Sequence, residues 1–146
     1  MISNTCKYAI RAMIYLALNK DKNSMIGIKQ IAFDLDVPRP FLSKILQQIT
    51  KHKLLLSNKG PNGGFMLAKP ASEISLMDIV TIIDGPNFFN SCIIGLNSCD
   101  ETHEHAHCPI HNNYSPVRKE LKNLFEQKTI GLLAIEISNS GGNIRI

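Results

Sequence analysis

The sequence predicts a mainly α fold, a winged helix-turn-helix with a small β-hairpin wing and a long C-terminal helix. Three observations carry this. Two helical patterns meet at a proline-punctuated turn, a glycine-dense turn separates two short apolar runs, and an amphipathic pattern recurs near the C-terminus. At 146 residues the chain is long enough for one domain with its own core and an appended element. The boundaries read as residues 1–85 for the winged helix-turn-helix, 86–114 for a cysteine-bearing loop, and 115–146 for a helix and tail.

Ser3 or Asn4 can cap a first helix reaching about Asn19. Its apolar positions cover most of the circumference, and Lys7, Arg11 and Tyr15 leave a narrow polar stripe, so the helix is expected to be buried. Lys22, Asn23 and Ser24 form a polar turn. A short helix over Ile28–Asp36 turns Ile31, Ala32 and Leu35 inward. Pro38 cannot continue it and drives Val37 out of the helical region, whereas Pro40 is tolerated in the first turn of the next helix.

That next helix, about Arg39 to Lys51, sets Leu42, Ile45, Leu46 and Ile49 inward and leaves Arg39, Ser43, Lys44, Gln47, Gln48 and Lys51 on its free face. Leu54–Leu56 and Phe65–Ala68 read as strands around the turn Gly60-Pro61-Asn62-Gly63-Gly64. Ser75, with Asp78 three residues on, opens a helix to about Asp84 with Leu76, Ile79, Val80 and Ile83 inward, and Gly85-Pro86 stops it. Residues 87–114 show no sustained period and read as loop. Ser115-Pro116 signals the next helix, with Val117, Leu121, Leu124 and Phe125 as its apolar stripe. Thr129 can cap a last helix over Ile130–Ile137, and the Ser/Gly/Asn-rich tail is expected to fray.

Charge is divided unevenly. Residues 1–69 carry eleven Lys/Arg against three Asp/Glu, whereas residues 70–146 carry five against nine. A basic N-terminal half is the footprint of a phosphate-binding surface, and the acidic half argues against nucleic acid touching the whole molecule. The N-terminal part of the second helix of such a pair reaches base edges in double-stranded DNA, which singles out Arg39, Ser43, Lys44 and Gln47, with Lys51, Lys59 and Asn62 against backbone or minor groove. No apolar run approaches a membrane span of ~18–20 residues, and Arg11 breaks the segment Tyr8–Leu18, so neither a span nor a signal peptide is expected. The expected setting is cytoplasmic, with thiols reduced, because a chain with 44% apolar residues needs no disulfide staples.

Cys92, Cys99, Cys108 and His111 follow the spacing C-x6-C-x8-C-x2-H. Thiolates and an imidazole from one segment can hold an iron–sulfur cluster or a tetrahedral zinc, and a metal-free set of oxidation-sensing thiols is the third reading. His103, His105 and His107 alternate and could form an extra zinc or nickel site, or a polar insertion. Cys6 reads as a small core residue, and His52 as a helix C-terminal dipole partner or phosphate contact. An enzyme is not expected: a catalytic zinc needs an open position and a supported base, and no G-x4-G-K-[ST] loop is present.

The order of elements, opened by Tyr8-Ala9-Ile10-Arg11-Ala12-Met13, resembles the Rrf2 family of bacterial winged helix-turn-helix regulators. The matching segments are Ile31-Ala32, Phe41–Leu46, Lys59–Phe65, Met77–Val80 with Asp84-Gly85, and Cys108–His111. The resemblance implies a homodimer held by the helix after the loop, with Val117, Leu121, Leu124 and Phe125 against their symmetry mates. It implies binding to a pseudo-palindromic operator, usually as a repressor. It further implies that Cys92, Cys99 and Cys108 are cluster ligands in a sensor of iron–sulfur, redox or nitric-oxide status. In the IscR-like branch the fourth ligand is a histidine three residues past the third cysteine, which His111 matches, and this favours a 2Fe–2S cluster. In the NsrR-like branch it is an N-terminal aspartate, where this chain has Lys7. The eight residues between Cys99 and Cys108 exceed the spacing usual in the cluster-binding members.

Overall fold

The computed structural model describes residues 1–20, 24–94 and 108–141. Cys99, the three alternating histidines His103, His105 and His107, Lys22 and Asn23 of the expected polar turn, and the end of the tail from residue 142 lie outside the described residues. Six helices and one two-stranded antiparallel sheet are formed among the described residues, in the order α1–α2–α3–β1–β2–α4–α5–α6.

Helix α1 (Asn4–Leu18) is the central element. The Ser3 hydroxyl caps it by accepting from the Cys6 N–H at 3.0 Å, and Cys6, Ala9, Ala12, Met13, Ile14, Leu16 and Ala17 are all buried. Two residues of its polar stripe, Arg11 and Tyr15, fasten the next helix, while Lys7 is exposed. Arg11 donates to the Leu35 carbonyl at 3.2 Å and the Tyr15 hydroxyl donates to Asp34 at 2.5 Å. Helix α2 (Ile28–Leu35) buries the predicted Ile31, Ala32 and Leu35. It stops one residue earlier than expected because Asp36 takes a left-handed conformation (φ 53°), its N–H closing onto Ala32 and Phe33. Helix α3 (Arg39–Lys51) has the predicted bounds and buries the predicted Leu42, Ile45, Leu46 and Ile49, with Pro40 in its first turn.

Strands β1 (Leu55–Asn58) and β2 (Gly64–Leu67) pair in the register Leu56 to Met66 and Ser57 to Phe65; β1 starts one residue and ends two residues beyond its apolar run, and β2 lies one residue before its own. The wing does not stand alone. Ile26 bridges Phe65 through two backbone hydrogen bonds of 3.0 and 2.9 Å, a third strand position the sequence reading missed. Gly64 makes this approach feasible: a Cβ there would lie 2.2 Å from the Ile26 carbonyl oxygen.

Helix α4 (Leu76–Ile83) starts with the predicted capping box, Ser75 and Asp78 bonding reciprocally. Helix α5 (His111–Gln127) corrects the expected start at Ser115-Pro116. The Ile110 carbonyl already accepts from the N–H groups of Asn113 and Tyr114 at 3.1 and 2.8 Å, so Pro116 sits inside the helix instead of opening it. A proline so near the N-terminus forfeits one helical hydrogen bond and leaves the turns before it closed. The segment read as structureless also contains a 3-10 turn, Phe88–Asn90, whose Phe89 is buried against Phe125. Helix α6 (Ile130–Asn139) is capped by Thr129 and packs Ile130 and Ala134 into the core beside α1. Paired backbone bonds, Leu76 to Lys128 and Ile130 to Ile74, join the start of α4 to the α5–α6 connection.

Candidate functional site

Two sets of residues bear on function, and α4 lies between them. The first is the free side of α3 and the wing. The inward row of α3 is fully buried, so Arg39, Lys44, Gln47 and Lys51 are left exposed and Ser43 half-buried. Gln47 donates to the Ser43 hydroxyl at 3.3 Å, which holds these two polar side chains side by side one helical turn apart. Lys59 and Asn62 are exposed at the wing tip, in a turn closed by Gly63 N–H to the Gly60 carbonyl at 3.0 Å. Gln48, on the same helix, is engaged differently: its amide donates to the Ile82 carbonyl at the end of α4, at 2.7 Å. His52 follows α3 as its C-terminal cap residue and is exposed. The face therefore combines fixed-charge guanidinium and ammonium groups with amides, the donor types that recognise phosphate and base edges.

The second set is the cysteine segment. Cys92 lies two residues past the 3-10 turn that Phe89 anchors between Phe88 (4.9 Å between ring centroids) and Phe125 (5.3 Å). Cys108 and His111 stand at the other end, where the His111 N–H donates to the Cys108 carbonyl at 2.8 Å at the first residue of α5. Cys92, Cys108 and His111 are each half-buried. Among the described residues no three Cys, His, Asp or Glu side chains converge on one point, and Cys99 is not among them. By donor type the four residues suit an iron–sulfur cluster with one histidine ligand, and equally tetrahedral zinc.

The fourth cysteine is in the core. Cys6 is fully buried on α1, and burial first, then the nearby Asp84 carboxylate, pushes its thiol up to about 12. Burial, then its hydrogen bond and proximity to Asp34, also push the Tyr15 phenol upward. Sequence reasoning missed Asp84. Its carboxylate accepts from the Ser3 N–H at 2.9 Å and from the Ser3 hydroxyl, tying the end of α4 to the start of α1. No local signal marks a contact across 81 residues. The Phe88-Phe89 doublet was the aromatic signal for the anchor, in a loop that also carries Ile93, Ile94 and Leu96. A groove of about 530 Å³ between α1, Leu67–Ser72 and α6 carries none of the candidate residues.

A helix-turn-helix with its second helix free, braced by a tethered β-hairpin, defines the class: a winged helix-turn-helix protein. Residues 2–135 match the Rrf2 family model, described as iron-dependent transcriptional regulator. The chain belongs to that family of transcriptional regulators. It is 32% identical over 130 residues to a protein of Aquifex aeolicus assigned as an HTH-type transcriptional regulator, covering 89% of this chain and 88% of the relative. In structure it is similar to CymR, the global cysteine regulator of B. subtilis, with a TM-score of 0.77 at 23% identity over 93% of this chain and 97% of that one. It is also similar to IscR of T. potens, with a TM-score of 0.75 at 18% identity over 97% and 90% of the two chains. The two likenesses establish the winged-helix fold, and the relatives are regulators rather than enzymes. Among the described residues no helix is long and apolar enough to cross a membrane.

Proposed function

We propose that this chain is a homodimeric repressor of a pseudo-palindromic operator whose cysteine segment reports iron–sulfur, redox or nitric-oxide status. The observation that carries the reading is the junction at α4. One end of α4 touches the free helix α3 through Gln48, and the same end leads within ten residues to Cys92. A segment that changes state there sits against the DNA-reading unit.

In DNA reading, Arg39, Ser43, Lys44 and Gln47 face the major groove, with Lys51, Lys59 and Asn62 on the sugar–phosphate backbone or minor groove. Arginine suits guanine and glutamine suits adenine through paired hydrogen bonds. Val117, Leu121 and Leu124 are exposed along one side of α5 and meet their symmetry mates in the dimer. Phe125 stands apart from them: it is half-buried and packs on Phe89 within its own chain, which supports a bracing role alongside any contact across the dimer.

Cys92, Cys99, Cys108 and His111 are the residues that would hold a cluster, 2Fe–2S being the type that one histidine ligand favours. Such a group supplies reversible redox change and lability toward oxidants and nitric oxide. The protein's part is to hold Cys108 and His111 at the root of α5 and Cys92 beside the Phe89 anchor. The test is the visible spectrum with iron and sulfide assays on protein purified without air, repeated for Cys108→Ala and His111→Ala and paired with gel shifts on the native upstream sequence. Iron and sulfide lost in both variants support the reading. Zinc without sulfide replaces the cluster with a structural metal, and neither metal leaves the thiols alone as the sensor. Absence of operator-specific retention refutes the DNA-binding role itself.

A further inference from the structure

The free face of α3 contains one residue that the rest of the molecule has already engaged. Gln48 is exposed and flanked by Gln47, yet its amide donates to the Ile82 carbonyl at 2.7 Å. Ile82 lies in the last turn of α4, where a helix leaves its final carbonyls without intrahelical partners. Two residues on, Asp84 caps α4 and holds Ser3, and Ser3 in turn caps α1 through the Cys6 N–H. Then the chain turns at Gly85, with φ +96°, runs into the Phe88–Asn90 turn pinned on Phe125, and reaches Cys92. The end of α4 is thus joined by side-chain bonds to α3 and α1 and by a short pinned stretch of chain to Cys92.

We propose that Gln48 is a positioning residue for DNA reading: it does not contact DNA but couples α3 to the end of α4, so that a change at Cys92 reaches the reading helix through it. This rests on the proposed function above. A side chain whose donor is spent on a carbonyl of another element contributes to the angle of α3, and both ends of that bond respond to where the last turn of α4 sits. Coupling of this kind is established by non-additivity and not by adjacency. The asymmetry with Gln47 sharpens the point. Gln47 keeps its amide beside Ser43 on the same helix and is available to DNA, whereas Gln48 reaches 34 residues along the chain.

The experiment is a double-mutant cycle on the full chain, purified anaerobically, with affinity for the native operator measured for wild type, Gln48→Met, Cys92→Ser and the double variant. Methionine keeps the length of the side chain and removes the donor; thermal melts check folding. Gln48→Asn, with its amide one methylene short, repeats the cycle should the methionine variant melt early. Losing one hydrogen bond that positions a helix is expected to weaken operator binding about fivefold. The salt dependence should keep its slope, because no phosphate contact is removed. The effect of Cys92→Ser seen in wild type should largely vanish in the Gln48→Met background. Equal effects of Cys92→Ser in both backgrounds overturn the proposal and leave the sensor reading intact. A lowered salt slope in Gln48→Met also overturns it, because Gln48 then touches phosphate directly. No effect of Cys92→Ser in wild type sinks the sensor reading, and the coupling with it.

Discussion

Replacing Leu121 on α5 tests the proposed dimer in the middle of the helix's exposed apolar stripe. Val117, Leu121 and Leu124 are 58%, 41% and 47% exposed in the protomer, and no residue of α5 is fully buried. Burying a leucine side chain completely is worth about 1.5–3 kcal/mol. Leu121 has about four-tenths of its surface left to cover, so its share is roughly 0.6–1.2 kcal/mol per protomer on that scale. A two-fold interface counts the residue twice, giving roughly 1–2.5 kcal/mol, or a dimer dissociation constant raised roughly 5- to 60-fold in Leu121→Ala. Alanine keeps the Cβ, so the upper figure is a ceiling. Leu121→Asp should go further, because it sets like charges near the two-fold axis. The roughly six-tenths of Leu121 already covered in the protomer is worth roughly 0.9–1.8 kcal/mol on the same scale, so both changes should also lower the protomer's own stability, which unfolding melts read separately. Sedimentation velocity over a dilution series reads the constant directly. Wild type that sediments as a monomer at micromolar concentration, or a constant unmoved by both substitutions, refutes the reasoning.

Four further outcomes are expected. Arg39→Ala and Gln47→Ala should each lose about 1–3 kcal/mol of operator discrimination in gel shifts, with unchanged selectivity in both sinking the base-reading assignment. Lys59→Ala should weaken binding on all duplexes alike and lower the slope of log affinity against log salt by about 0.9, as one lost phosphate contact does. Gly64→Ala should cost about 2–3 kcal/mol in thermal or urea unfolding, because its Cβ would collide with the Ile26 carbonyl at a φ of +150°; an unchanged midpoint would mean that the wing is not tethered. The Cys6 thiol titrates near 12 in the fold against 9.0 unfolded, so the folded state holds a proton that the unfolded chain loses between those values. Its contribution to stability is complete below pH 9 and falls as pH rises toward 12, and mass-spectrometric alkylation at pH 8 should label Cys108 well before Cys6.

What the sequence made legible were the features fixed by neighbours. Helix α3 matches its predicted bounds because Pro38 and Pro40 act locally and its apolar row keeps a 3.6-residue period. The capping box at Ser75 and the cap at Thr129 are likewise short-range. The start of α5 misled because Ser115-Pro116 is a start signal only when nothing helical precedes it, and here Cys108 and Ile110 close turns upstream. Ile26 was invisible as a strand because one bridging residue has no period. Of the site, the donor set Cys92, Cys108 and His111 was legible as a pattern, with Cys99 outside the described residues. The bonds that lock the reading unit together, Gln48 to Ile82 and Ser3 to Asp84, span 34 and 81 residues, and only the tertiary fold brings them into view.

The early start of α5 also bears on why a ligand set would sit there. The first turn of that helix lacks a side-chain cap and lacks an acidic residue, the two usual stabilisers of exposed helical N–H groups. Pro116 removes the bond that the Asn112 carbonyl would otherwise accept, which weakens the ladder between the first turn and the body of the helix. Backbone bonds to the Cys108 and Ile110 carbonyls close the turn. A turn built this way lies close to the balance between helix and coil, because helix ends without caps fray first. Fixing the Cys108 and His111 side chains to a common centre would tip that balance toward helix, and releasing them would tip it back. The body of α5, beginning beyond Pro116, carries Phe125 against Phe89 and keeps its place in either case. On the proposed reading, the change is thereby confined to the segment that leads back through Phe89 to the end of α4, while the dimer surface at Val117, Leu121 and Leu124 stays formed.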